Sequence, residues 1–445
     1  MKQRRFDLHG SLTASFKDGI FAAVMLGVTE HYVVPFALFM AATVQQIGWI
    51  SALPNLLGSI SQLFAVPLIR WLGGRLRFLV RAVFIQAVLL LGIASLAWLD
   101  GSFRLQLLLL LLVLFTVSGG LIGPAWGSLM SDHIPISRRG VYFGWRNRIL
   151  GMVTVLSMAG AGLILYRTRE VSPAGGFFTI FLLGAAARCV SSLYIAKMSD
   201  VPMKKNPAYD FTFWMFVARF RESNFVKFIA FVATLTFSSY LSSPFFAVFM
   251  LRELKFSYLT YMIFQTVSTV AALIALPWWG RHADVVGNVR LLRLAGFMAT
   301  LIPCLWVVSH NLVYLTLLQL FAGFAWSGVT LSATNFIYDA VTPQKRIRCI
   351  GYFNVINGTA LFFGAALGGF LASRLPPLMG YSLHSLFALS SLCRLVSYFA
   401  LSRRFQEVRS SRAVSSRELF FSVVGIRPIV GGPHDWVFRP IRHRD

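Results

Sequence analysis

Charge is scarce in this chain, and acid is scarcer still. Asp, Glu, Lys and Arg together make up 13% of the 445 residues, and only 16 are acidic against 41 basic. With 57% of residues hydrophobic, so little charge excludes a soluble protein of this size. Four cysteines, Cys189, Cys304, Cys349 and Cys393, show no CxxC or metal spacing, which excludes a disulfide framework and a thiolate metal site. There is no phosphate loop and no nucleophile–base constellation, so neither enzyme chemistry nor a cofactor is expected. Alternating polar and apolar positions are missing as well, which excludes a membrane barrel.

What remains is long apolar runs. In a bilayer the backbone must satisfy its own polar groups, and runs of about 20 residues do so as spanning helices. Twelve are predicted: 15–41, 46–69, 78–99, 105–129, 144–166, 175–196, 224–250, 259–279, 290–309, 312–335, 350–373 and 379–401. The net charge of +25 invites a nucleic-acid reading, but its distribution argues otherwise. The N-terminus and the even-numbered loops hold 24 of the 41 basic residues, and the odd-numbered loops hold only Arg104, Arg167, Arg169, Arg252, Lys255 and Arg374. This is the positive-inside asymmetry, which places both termini in the cytoplasm and sets the excess against anionic lipid headgroups. The first run is long and contains Asp18 and Glu30, unlike a cleaved signal peptide.

One segment occurs twice. Asp132, Arg139, Gly144, Asn147, Ile149, Gly151 and Gly162 return 207 residues later as Asp339, Arg346, Gly351, Asn354, Ile356, Gly358 and Gly369. Pro35-Phe36 answers Pro244-Phe245, and Arg188-x-Val190-Ser191 answers Arg394-x-Val396-Ser397. A duplicated six-helix unit follows, a layout typical of secondary transporters. Expected units are a first bundle at 1–196, a linker at 197–223, a second bundle at 224–402 and a basic tail at 403–445. Within the linker, Phe211 to Arg221 is amphipathic and suits the membrane surface.

The loop Gly280-Arg-His-Ala-Asp284-Val-Val-Gly287-Asn-Val-Arg290 resembles the G-x-x-x-D-x-x-G-x-x-[RK] signature of the major facilitator superfamily. The helix count and the Asp…Arg…Gly loops after helices 4 and 10 agree over about residues 12–402. Thr29-Glu30-x-Tyr32-x-x-Pro35 resembles a prokaryotic subgroup, so the expected location is the cytoplasmic (inner) membrane of a prokaryote. That subgroup supplies no substrate. The first-half loop departs from the signature, because Arg70 stands where an acid is wanted. The helix-4 arginine signature of proton symporters and the helix-5 Gly-Pro signature of drug antiporters are both missing. The resemblance implies an all-α fold of two pseudo-symmetric six-helix bundles around a cavity lined by helices 1, 2, 4, 5, 7, 8, 10 and 11.

Glu30 is the sharpest candidate. A carboxylate near mid-membrane costs several kcal/mol unless it meets water, a partner or a proton, so reversible protonation is expected of it. His31 points about 100° away and reads as a packed histidine. Cavity candidates are Tyr32, Asn55, Trp126, Asn147, Tyr240, Gln265, Trp326, Asn335 and Asn354, each also eligible as helix–helix glue. No Lys or Arg sits mid-helix in those eight helices, which disfavours phosphates and dicarboxylates as substrates. Arg188 and Arg394, in helices 6 and 12, are expected to snorkel in a structural role. Gate candidates are Asp132, Arg139, Gly280, Asp284, Gly287, Arg290, Asp339 and Arg346. The resemblance implies that Asp284 caps or pairs with the start of helix 5, near Arg146 and Arg148, and Arg70 makes the lock one-sided. The expectation is thus a monomeric secondary carrier that moves a small neutral or cationic organic solute by alternating access, with protons coupled through Glu30. A non-transporting sensor or assembly factor on the same fold is the alternative.

Overall fold

Each predicted apolar run folds as a helix, because nothing else closes the backbone hydrogen bonds of a lipid-soluble segment. The computed structural model describes residues 8–408 except 102, 135, 201–222 and 342, with backbone alone at 8–9, 136–141 and 343–348. The amphipathic linker run, and the tail from 409 on, lie outside the described residues. Among the described residues, twelve helices are long and apolar enough to span a membrane. They are α1 Gly10–Phe39, α2 Val44–Trp71, α3 Arg75–Ser95, α4 Arg104–His133, α5 Tyr142–Thr168 and α6 Pro173–Ile195. The second half has α7 Asn224–Glu253, α8 Tyr258–Val286, α9 Asn288–Val308, α10 Leu312–Ala340, α11 Cys349–Ala372 and α12 His384–Leu401. Polar side chains start several of them. Thr43 and Gln46 exchange bonds in a capping box at α2, Ser172 caps α6, and the Asn311 side chain accepts from two backbone N–H groups of α10.

Packing repeats as the sequence does. In the first half α1 packs on α5 and α6, α2 on α4, and α3 on α4 and α6. The second half repeats each pair: α7 on α11 and α12, α8 on α10, α9 on α10 and α12. The halves meet along α2–α11 and α5–α8. Small residues allow the first of these seams. A Cβ on Gly48 would lie 2.8 Å from the Ala365 carbonyl oxygen, and one on Gly358 would collide with the Ser59 side chain.

Two hydrophobic cores show where the halves join. The large one draws buried residues from both halves, including Phe36, Phe177, Phe245 and Tyr261 at the end opposite the termini, and continues through the second half to Phe228 and Phe405. A smaller one, with Phe78, Leu79, Leu129 and Ile195, comes from the first half alone and lies at the end that carries the termini. The second bundle packs beyond its last helix. Phe405 is fully buried against Phe228 and Phe336, and Arg293 donates to the carbonyls of Ser402 and Phe405. The packed unit therefore runs past 402 to Glu407, whose carboxylate accepts the Val289 N–H at the start of α9.

Candidate functional site: a cavity at two broken helices

Proline decides where α1 and α7 break. Helix geometry stops at Thr29 and resumes at Val33, and in the second half it stops at Tyr240 and resumes at Phe245. Pro35 has no N–H for the His31 carbonyl four residues back, and Pro244 none for Tyr240. The freed His31 carbonyl takes its hydrogen from the other half: the Tyr261 hydroxyl of α8 donates to it at 2.8 Å. Gln265 in turn donates to the Tyr261 oxygen at 3.0 Å. A chain of two hydrogen bonds thus crosses between the halves beside Glu30. Broken helices near mid-membrane are where carriers of this architecture build their binding sites.

Between the two breaks lies a cavity of about 720 Å³. Glu30 is exposed in its wall, one residue past the end of the first segment of α1. Of the sequence candidates, Asn55, Tyr240, Gln265 and Trp326 also line it, as does His31. Tyr32 is elsewhere: it is fully buried and donates to the Met158 carbonyl at 2.6 Å, tying α1 to α5. Asn354 donates to Gln62 at 2.8 Å within the α2–α11 seam. Trp126 lies under the Arg146 guanidinium, 4.5 Å from its ring centre. Asn147 is exposed and Asn335 half-buried, and neither is among the residues around this cavity.

Two of the gate candidates, Asp132 and Asp339, make contacts inside their own half. Asp132 pairs with Arg75 at 2.7 Å, and Arg75 also donates to Ser128. The second-half copy does the same job with a neutral partner, Asn288 donating to Asp339 at 2.8 Å. Each aspartate, at the end of one helix, thus pins the start of the helix before it, α4 to α3 and α10 to α9. Gly287 has φ +93, a value that side-chain-bearing residues rarely adopt, and a Cβ there would strike Glu407. Asp284 is exposed, Arg290 reaches back toward the Val286 carbonyl, and Gly280 lies within α8. Arg146 donates to the Ser15 carbonyl in the first half at 3.2 Å. The side chains of Arg139 and Arg346 lie outside the described residues.

Neither intramembrane arginine snorkels. Arg188 is buried and donates to Gln86 and to Ser191, while the Ser191 hydroxyl donates to Asp18 at 2.6 Å. Asp18 is buried too, so an acid, two arginines and a glutamine form a polar cluster between α1, α3, α5 and α6. Sequence reasoning passed over Asp18 as a residue of the binding half. The available signal was an acid within an apolar run, which is rare unless it is partnered. Arg394 is 2% exposed and points inward to the α7 break, donating to the carbonyls of Ala299 and Ser239 and to the Ser242 hydroxyl. It also borders the cavity. The premise that no arginine serves the cavity therefore falls, because helix 12 supplies one.

A duplicated twelve-helix membrane bundle with a central cavity at two broken helices is the architecture of a solute-carrier fold. A family model described as Major Facilitator Superfamily matches residues 228–441. The second half of the chain thus matches the major facilitator superfamily. An uncharacterized transporter of Buchnera aphidicola is 22% identical over 188 residues, 40% of this chain and 46% of that protein. The multi-drug resistance efflux pump PmrA of Streptococcus pneumoniae is 27% identical over 164 residues, 36% of this chain and 39% of the pump. These alignments span under half the length of the curated relatives. Among solved structures, a nucleoside transporter NupG variant superposes with TM-score 0.70 at 13% identity, covering 88% of this chain and 100% of that one. A bacterial homologue of the iron transporter ferroportin in an inward-facing state superposes with TM-score 0.67 at 15% identity, covering 88% and 98%. At such identities the likeness is one of fold.

Proposed function

We propose that this protein is a secondary carrier that moves a small organic solute across the membrane by alternating access, with Glu30 carrying the coupled proton. The observation behind this reading is the place of Glu30: exposed to the cavity, at the break of α1, next to the carbonyl that Tyr261 ties across the seam. A carboxylate there meets water on one side only and is costly to leave charged once the cavity closes. Protonation removes that cost, so proton and conformation are linked. Tyr240 of the opposite half lines the same cavity. Carriers and efflux pumps among the relatives favour transport, and the apolar and aromatic wall favours an organic solute over an inorganic ion.

The test uses full-length protein in liposomes, with a solute first found by thermal stabilisation across a metabolite library. Glu30→Gln keeps solute-for-solute exchange and loses accumulation driven by a pH gradient. Accumulation retained at the native level would place the coupling proton elsewhere.

A further inference from the structure

The two halves bury their repeated arginines differently. Arg188 has a carboxylate within its hydrogen-bonded cluster, Asp18 through Ser191. The offset that matches Pro35 to Pro244 puts Lys227 at the position of Asp18, so the second half has a second cation where the first has the acid. Among the described residues Arg394 makes no ion pair, and its Nε has no hydrogen-bond partner. Its Nη atoms are held by two carbonyls and the Ser242 hydroxyl, all neutral. An unneutralised guanidinium in a membrane interior is expensive, and an arrangement that holds it there without an acid calls for an anion from outside the chain.

The cavity supplies the place. Arg394 borders it beside Trp326, whose ring centre is 5.9 Å from the guanidinium carbon. Arg394 grips Ser239, the repeat counterpart of Glu30, so cation and acid stand at matching depths on opposite halves. Ser243, exposed in the same α7 break, and Tyr240 offer hydroxyls to an incoming oxygen. Glu30 and Arg394 are the cavity's acidic and strongly basic side chains.

We infer that the cavity binds its solute by an anionic group of the carboxylate class, neutralised by Arg394 at the α7 break. One monovalent cation with two uncommitted N–H groups, on Nε and Nη1, suits a monocarboxylate better than a phosphate dianion. The apolar and aromatic wall takes the rest of the molecule, and Glu30 faces any amine it carries. This rests on the cavity being the solute site, as the carrier reading holds.

No known solute is needed to test it. In full-length protein with Cys189, Cys304, Cys349 and Cys393 changed to serine, Ser243→Cys places one thiol in the break. Its reaction rates with anionic sulfonatoethyl and cationic trimethylammonioethyl methanethiosulfonates are compared with those of a free thiol, in lipid-free detergent and in nanodiscs containing anionic phospholipid. The anionic reagent is favoured at Cys by about tenfold or more over the free-thiol ratio, as a nearby charge in a low-dielectric site requires. Arg394→Gln abolishes that preference, Arg394→Lys keeps most of it, and Glu30→Gln strengthens it. A native ratio at or below that of the free thiol overturns the inference whether or not the Arg394 variants fold. A preference lost only with anionic lipid assigns the site to a headgroup and overturns the solute reading. A thiol unreactive to both reagents contradicts the aqueous cavity itself, and with it the carrier reading.

Discussion

At the scale of single residues, direction matters more than identity. Arg188 and Arg394 were legible as a repeated pair, yet their aim was not, because an arginine can reach either the interface or the bundle from the same helical position. Only the neighbours settle it: Gln86, Ser191 and Asp18 for the first, and the open carbonyls of α7 for the second. Tyr32 and Tyr240 show the same limit. Both are tyrosines next to a break, but one ties α1 to α5 and the other faces the cavity. The Asp18 cluster carries a prediction about stability. Removing the charge leaves Arg146 and Arg188 buried with hydrogen bonds but no anion, so Asp18→Asn costs about 3 kcal/mol. Thermal unfolding in detergent reads this as a clear fall in midpoint, and adding Arg188→Gln recovers part of it. An unchanged midpoint in Asp18→Asn would mean that the cluster is held by its neutral bonds alone.

At the scale of the helix, hydropathy and spacing sufficed to find the elements. The twelve predicted runs fall within a few residues of the observed spans, since a 20-residue apolar run has one viable structure in lipid. What hydropathy could not reveal was the interruption of α1 and α7, or the seam pairing α2 with α11. Lipid-facing and bundle-facing sides are both apolar, so periodicity does not separate them. The signal lay in the prolines, which the sequence reading used only as a mark of duplication: Pro35 and Pro244 occupy matching positions, and each frees a carbonyl. Pro35→Ala restores an N–H that competes with Tyr261 for the His31 carbonyl. Both Pro35→Ala and Tyr261→Phe therefore loosen the link between the halves and slow transport by a similar factor, with their effects less than additive when combined. Independent, multiplying effects on initial uptake rates would show that the break and the cross-seam bond are unrelated. At the α2–α11 seam, Gly48→Leu drives a side chain into the Ala365 backbone. It lowers the unfolding midpoint far more than the same change at Gly127, where no atom lies within 4 Å of an added Cβ.

For the whole molecule, duplication is the organising fact, and the departures from it carry the function. Five helix pairs recur in both halves, while Glu30 faces a serine counterpart and Asp18 a lysine. The gate asymmetry belongs here as well. Asp284→Asn slows turnover more than Arg70→Gln, and equal severe losses would show that the intact and degenerate loops act alike. The charge bias predicts that both termini are cytoplasmic. Thiol labelling of single cysteines introduced at 204 should succeed only from that side, and labelling from the outside would invert the topology. The central claim is that a proton on Glu30 sets which end of the cavity is open. It is tested most directly by spin labels on Trp71 and Arg281, one exposed site on each half near the termini, with the distance distribution measured in nanodiscs as a function of pH. Native protein should shift between two populations as pH changes, while Glu30→Gln should hold one population at every pH. A native distribution that ignores pH, or an identical pH shift in Glu30→Gln, would contradict the account.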